Sequence, residues 1–362
     1  MNCIEVKMTI KYRSTDDNGQ QWQELEHAWK TMQKLHPEAN FLQSPAWAKM
    51  NSLIGHKTII DCADFRKGKK STKTQKLTWC LMIVKNAKRG RYLEVPGGPL
   101  VDWTDSAAVE TIFAQLRAVA KQEGCVFIRL RPQLRRGAEQ ESLLAAQGAS
   151  PAPMHLHAEH TVILDLTKSS DELLAAMRRQ TRYEVRRAAK LGLKVDWASS
   201  EEIFCEFHRA QAATAARQHF VPPDLKTLLA ERKAFGDNAR IYVARTAEGE
   251  PIAYGLILID GAEAEYFEAA STDLHHKLPG SYALLWQVIQ DLQTAKVARF
   301  NLWGIAPSGQ KNHRYAGVTT FKTGFGGEIV EFVPAQDIVI KRSRYLINLL
   351  IETIRKKKRH LG

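Results

Sequence analysis

Two stretches of this chain spell the same succession of elements, and that repetition restricts the fold more than any single motif does. From Ala239, ARIYVART reads as a strand, AEGEP as a turn, IAYGLILID and AEAEYFEAAS as two more strands, SYALLWQVIQDLQTA as a helix and ARFNLWG as a strand. The first half repeats the order with KTIIDCADF, a basic turn, KLTWCLMIVKN, RYLEVPGGPLV, the helix AAVETIFAQLRAVAKQ and the strand CVFIRLRP. A shared order without shared residues points to an internal duplication. The expected fold class is therefore α/β (α+β), with two tandem domains of one fold, and 362 residues are enough for two cores.

The stretch Gly137 to Met154 is small, polar and proline-bearing, which places a junction at its end: a first domain over 1–153 and a second over 154–333. The second opens with HTVILDL and a helix begun by Ser169, with Glu172 three residues on, a capping-box pattern. That helix is expected to run to about Leu191, burying Leu173, Met177, Val185 and Ala188, with Arg178, Arg182 and Arg186 as a basic ridge on another face. A C-terminal helix within 334–362 carries Ile347, Leu350, Ile351 and Ile354 on one side and ends in a cationic cluster. Packing back on the first domain is its expected role, and lying on an anionic bilayer is the alternative.

The net charge of +13 suits polyanionic partners and is concentrated in residues 66–91 and in the tail from Lys341. A solvated loop and a solubilising tail would look the same. The start, MNCIEVKMTIKYRS, lacks the continuous apolar segment of a signal peptide, and no run of roughly 18 apolar residues occurs, so a cytoplasmic protein is expected. Five scattered cysteines form no CxxC pair. His155, His157 and His160 alternate as a strand would and have no carboxylate or cysteine at ligand spacing, so no metal is expected. GxSxG, P-loop and HExxH patterns are missing, and Asp102, Asp165 and Asp273 are isolated carboxylates.

The order strand, strand, strand, loop, helix, strand is that of N-acetyltransferase-type acyltransferases, in which a glycine at the helix start lets amides approach a pyrophosphate. Here the second copy has Gly280 but then the bulky Tyr282, and the first has Thr104, Asp105 and Ser106. Neither copy suits coenzyme A, so no cofactor is expected. The segment VTTFKTGFGG, 318–327, reads as a strand entering a tight turn, with Lys322 where an apolar residue is the ordinary choice.

FLQSPAWAKM at 41, PGGPLVDW at 96, the segment from His160 to Val195, TAAR at 214, EYFEAAST at 265, GSYALLWQVI at 280, FNLWGIAP at 300 and FKTGFGG at 321 together resemble the Fem family of aminoacyl-tRNA-dependent peptidyltransferases. The likeness spans nearly the whole chain and fits the compact subgroup, because nothing between Val195 and Ala239 has the heptads of an inserted helical hairpin. It implies two N-acetyltransferase-like domains and transfer of an amino acid from aminoacyl-tRNA to an amine of a peptidoglycan precursor stem peptide. It also implies roles for residues. Lys322, paired with Phe321, would stabilise the oxyanion or orient the acyl donor; Arg217 would contact precursor phosphate; Tyr266 would line the precursor channel. Arg178, Arg182 and Arg186 could follow tRNA phosphates.

Three positions depart from relatives that use nucleotide-linked precursors. Arg131 stands where they keep an aspartate, Asn51 where they keep a lysine, and Glu268 where they keep a second tyrosine. A lipid-linked acceptor, met at the inner face of the plasma membrane, fits the basic tail better. Two other readings stay open: a non-catalytic protein that binds RNA or anionic lipid, and an aminoacyltransferase acting on a non-peptidoglycan amine.

Overall fold

The computed structural model describes residues 10–13, 20–64, 77–218, 220–310, 313 and 315–358. The basic residues between Arg66 and Lys76, and Arg359, lie outside the described residues, as do the side chains of Lys356, Lys357 and Lys358. The chain divides into two compact units, residues 1–159 with 332–362, and residues 160–331.

The first unit contains β1 (Ile10–Arg13), α1 (Gln20–Leu35), α2 (Pro45–Leu53), β2 (Lys57–Asp64), β3 (Leu77–Ala87), β4 (Gly90–Gly97), α3 (Ser106–Gln122), β5 (Phe127–Pro132), α4 (Ala138–Ala146) and β6 (Ala149–Pro151). The second contains β7 (His160–Asp165), α5 (Ser170–Ala176), α6 (Arg179–Lys190), β8 (Lys194–Ala198), α7 (Glu201–Gln218), α8 (Leu225–Phe235), β9 (Ala239–Arg245), β10 (Pro251–Asp260), β11 (Glu263–Ser271), α9 (Gly280–Thr294), β12 (Arg299–Asn301), α10 (Ala316–Thr323) and β13 (Glu328–Glu331). Then β14 (Gln336–Val339) and α11 (Arg342–Lys358) return to the first unit.

Each unit is built on one seven-stranded sheet, in the orders β1-β2-β3-β4-β5-β14-β6 and β13-β7-β12-β11-β10-β9-β8. The two sheets correspond strand for strand: an antiparallel run of four, one parallel pair crossed by a helix, and two more antiparallel strands. In both, the sixth position is filled out of chain order, by β14 in one and β7 in the other. Ile112, Phe113 and Leu116 of α3 cover the first sheet, and Leu284, Leu285, Val288 and Ile289 of α9 cover the second, from inward stripes at helical spacing.

Four local expectations need correction. The stretch 137–154, read as a small, polar segment leading up to the junction, forms α4 and the edge strand β6, which pairs with β14. Its Ala, Glu, Gln and Leu content is helix-forming however polar it looks. The single helix expected from Ser169 breaks after α5: Met177 and Arg178 are extended, with ψ of 149° and 145°. The break is held from outside, because Arg178 N–H donates to Gly324 O at 2.8 Å and Arg182 Nη1 donates to Ala175 O at 2.8 Å. Arg182 thus closes the C-terminus of α5, where a cation and its donors satisfy free carbonyls.

The segment 318–327 is not a strand. It forms α10, since Thr319, Thr320 and Thr323 donate their hydroxyls to the carbonyls four residues back and satisfy β-branched side chains inside a helix. Gly326 and Gly327, at φ of 83° and 86°, then turn the chain into β13.

The fourth correction concerns α11. The face that packs carries Tyr345, Asn348 and Glu352, not Ile347, Leu350 and Ile354. Arg129 of β5 bonds Asp337 of β14 at 2.7 Å and Glu352 of α11 at 2.9 Å, while Tyr345 donates to Asp337 at 3.0 Å. Buried ionic partners must stay together, so this cluster selects the inward face. Leu346, Ile347, Leu350 and Ile354 are left 55, 58, 63 and 46% exposed. Part of the basic run is also consumed locally: Lys85 is held by Asn51 and Glu94, and Arg89 by Asn348.

Candidate active site

Lys322 lies in the last turn of α10 with its side chain out of water. Its Nζ donates to Gly304 O at 2.9 Å and sits 5.7 Å from the ring centroid of Tyr266. The partners are placed by sheet irregularities. β12 ends after three residues, Asn301 Oδ1 accepts from Trp303 N at 2.9 Å, and Trp303 takes a left-handed φ of 61°, just before Gly304. On β11, the register slips against β10 beside Tyr266, and Gly255 makes room for that ring, since a Cβ there would meet Tyr266 Cε2 at 2.8 Å. Among the described residues no carboxylate stabilises the ammonium, and desolvation lowers the Lys322 pKa to about 7.

Phe321, next in sequence, lines a cavity of about 1050 Å³ in the second unit. Its ring packs against Tyr282 and Phe325, so Tyr282 supports Phe321 at the cavity wall. Pro279, which starts α9 with no side-chain cap, and Ser281 also line the cavity. Gly280 serves packing, because a Cβ would lie 2.4 Å from Ile252 Cγ2.

Glu268 lines the same cavity and accepts from Gln211 Nε2 of α7 at 2.7 Å. Burial pushes its carboxyl well up from the ordinary range. Behind it, Glu231 of α8 is 2% exposed and is raised further, by burial first and the Glu268 charge second. Gln211 and Glu231 were not expected from the sequence; in EFHRAQ and LAERKAF they look like ordinary polar helix residues, and only the packing of α7 and α8 buries them.

Phe321 and Glu268 are the candidates that line this cavity, whereas Lys322, Tyr266 and the others lie off its wall. Arg217 bonds Ser271 O and pairs with Asp273 at 3.3 Å. Arg178 donates to Thr320 O and Thr323 Oγ1, Arg182 caps α5, and Arg186 is exposed without a hydrogen-bond partner among the described residues. Arg131 and Asn51 belong to the first unit. Arg131 is fully buried, donates to Gln133 Oε1 at 2.7 Å and stacks on Phe332, while its Nε and Nη2 lack partners. Desolvation lowers its pKa to about 10, and burial together with Arg131 and Lys85 holds His157 down to about 3. Asn51 Oδ1 accepts from Lys85 Nζ at 2.9 Å, so the lysine of this region comes from β3. His155 pairs with Glu159, and no three His, Cys, Asp or Glu side chains among the described residues are placed to hold a metal.

The chain as a whole has counterparts among known proteins. Residues 25–250 and 245–353 match the FemAB family. The chain belongs to the FemAB family. The aminoacyltransferase FemA of Staphylococcus aureus is 21% identical over 382 aligned positions, covering 82% of this chain and 90% of that protein. The crystal structure of FemX superposes with a TM-score of 0.77 at 17% identity, over 91% of this chain and 98% of that one. The structure of L-PGS from Bacillus licheniformis follows at 0.54 and 14%, over 90% and 95%. This FemAB protein is an aminoacyltransferase built of two compact α/β units.

Proposed function

We propose that the protein moves an amino acid from aminoacyl-tRNA to an amine of a peptidoglycan precursor stem peptide, contributing to an interpeptide bridge or branch. Lys322 is the observation on which this rests: a buried ammonium with one carbonyl partner, adjacent in sequence to Phe321, which lines the cavity. Attack of an amine on the ester builds a tetrahedral oxyanion. A cation that no carboxylate neutralises interacts far more strongly with that oxyanion than with the neutral ester. Phe321 and Tyr282 keep the wall apolar, which holds competing water off the ester. Phe321 and Lys322 are the catalytic pair in this reading, while Tyr266 holds the lysine from below.

Family membership supports a tRNA-linked donor, and the exposed Arg186 is available to its phosphates. For the acceptor, we favour a lipid-linked precursor. The exposed apolar residues of α11 lie among Arg342, Arg344 and Arg355, all exposed, a combination suited to an anionic bilayer surface at the inner face of the plasma membrane. No helix among the described residues is long and apolar enough to cross a membrane.

The test is transfer of labelled amino acids from a pool of charged tRNA to lipid-linked and nucleotide-linked muramyl pentapeptides, by wild type and Lys322→Ala. Transfer by wild type, lost in a folded variant, is the expected result; no transfer to either acceptor sinks the reading. Replacing Leu346, Ile347 and Leu350 by Gln should release the protein from phosphatidylglycerol vesicles and lower only lipid-linked transfer. Equal rates on both acceptors before and after that change would remove the lipid preference.

A further inference from the structure

The cavity of the second unit contains polar groups that oxyanion stabilisation does not use. Glu268 lines it, Gln211 donates to Glu268 Oε2, and Glu231 stands behind. Gln211 Oε1 and Glu231 Oε2 are both buried without a hydrogen-bond partner among the described residues. Among the described residues, no lysine or arginine charge acts on either carboxyl. Buried acceptors without donors cost stability unless something fills them, and three N–H donors on one charged nitrogen make an ammonium the matching ligand.

We propose that Glu268, steadied by Gln211 and backed by Glu231, receives the acceptor amine as its ammonium and removes the proton that must leave before the amine can attack. The inference rests on the aminoacyl-transfer reading above. One proton passes from the ammonium to the Glu268 carboxylate. The freed nitrogen lone pair forms the new C–N bond as the ester carbonyl becomes an oxyanion. Collapse breaks the C–O bond to the tRNA ribose, and the leaving oxygen takes the second proton from the attacking nitrogen. Glu268 returns its proton to water when the amide product departs.

The electrostatics agree with that geometry. Burial raises the Glu231 carboxyl well above the ordinary range and brings Glu268 up to about 7, so Glu268 is the member placed to exchange a proton near neutrality. The other titratable groups on the cavity wall are Glu184, Arg187, His276, Lys277, Tyr282 and Tyr315. Arg187 is held by Glu184 at 3.1 Å and by Lys277 O at 3.0 Å, which keeps its charge engaged on α6.

The experiment compares two nucleophiles, the stem-peptide amine and hydroxylamine, whose nitrogen is already unprotonated at neutral pH. In E268Q, enzyme-dependent transfer to the stem-peptide amine should fall by about 100-fold with its acidic limb displaced toward the pKa of the free amine, whereas transfer to hydroxylamine should stay within a few-fold of wild type. E268D should keep the acidic limb at a reduced rate, and it also serves if E268Q melts early. Equal loss with both nucleophiles and an unchanged pH profile would overturn the assignment and leave Glu268 a structural residue. If wild type transfers to neither nucleophile, the aminoacyl-transfer reading itself fails and this inference falls with it. Loss confined to the protonated amine can arise only when transfer works and Glu268 handles the proton.

Discussion

In the first unit the end of the parallel strand pair is closed by its own side chains; in the second the corresponding end is open. β4 stays paired with β5 as far as Gly97 opposite Pro132, whereas β11 leaves β12 after Glu265 opposite Asn301, so Tyr266 and Glu268 lie where the strands have parted. Gln43 plugs the first unit: Nε2 donates to Pro96 O at 2.6 Å and Leu81 O at 3.3 Å, and Oε1 accepts from Leu81 N at 2.8 Å. Gln211, beside the second opening, has one donor bond and a bare Oε1. The same backbone plan serves as scaffold where its polar groups are satisfied, and offers a site where they are not.

Buried lysines put the contrast in its strongest form. Lys322 has no carboxylate near it, while Lys85 has Glu94 at 4.0 Å and Asn51 at 2.9 Å. Lys322→Met should lower transfer by about 10²–10³-fold and at the same time stabilise the protein. The folded pKa of Lys322 is below its unfolded value, so the native state binds fewer protons between about 7 and 10.5 and wild-type stability rises with pH across that window. The penalty is fully present below pH 7, where Lys322→Met should gain on the order of a few kcal/mol in urea melts. An inactive variant that is also less stable at pH 6 would show that Lys322 supports the fold rather than the chemistry. Lys85→Met should do the opposite, costing roughly 3 kcal/mol at pH 8 because Glu94 is left buried and unpaired.

The glutamines separate the units by a smaller margin. Gln43→Ala should cost about 2–3 kcal/mol by stranding Leu81 N–H and two carbonyls, with activity per folded molecule unchanged. Gln211→Ala should cost under about 1 kcal/mol yet move the acidic limb of the pH profile upward, because its hydrogen bond favours the charged form of Glu268. Comparable destabilisation by both variants would erase the distinction between plug and site.

How much of this was legible beforehand follows from range. Strand and helix order in both halves was readable, because period-two and period-3.6 patterns are local: IAYGLILID is all but the first residue of β10, and SYALLWQVIQDLQTA covers all but the first residue of α9. Lys322 was conspicuous because an apolar residue was due there. The helical state of α10 was not, since three threonines favour a strand until their hydroxyls find carbonyls one turn back. The break at Met177 depends on Gly324, nearly 150 residues later, and the exposed face of α11 depends on Arg129, more than 200 residues earlier. Glu231 and Gln211 became site residues only through tertiary packing, which no periodicity encodes.

The mildest test concerns the two crossover helices. Asp105 caps α3 by accepting from Ala108 N at 3.2 Å, whereas Pro279 precedes α9 and supplies no side-chain cap. An N-cap aspartate satisfies one orphan amide and adds a favourable charge at the positive helix end. Asp105→Ala should therefore lower stability by about 1 kcal/mol and leave transfer untouched, because the first unit's opening is already filled. If Asp105→Ala instead altered transfer at constant stability, that opening would have to communicate with the chemistry. The division into a closed scaffold and an open site would then give way to two openings working together.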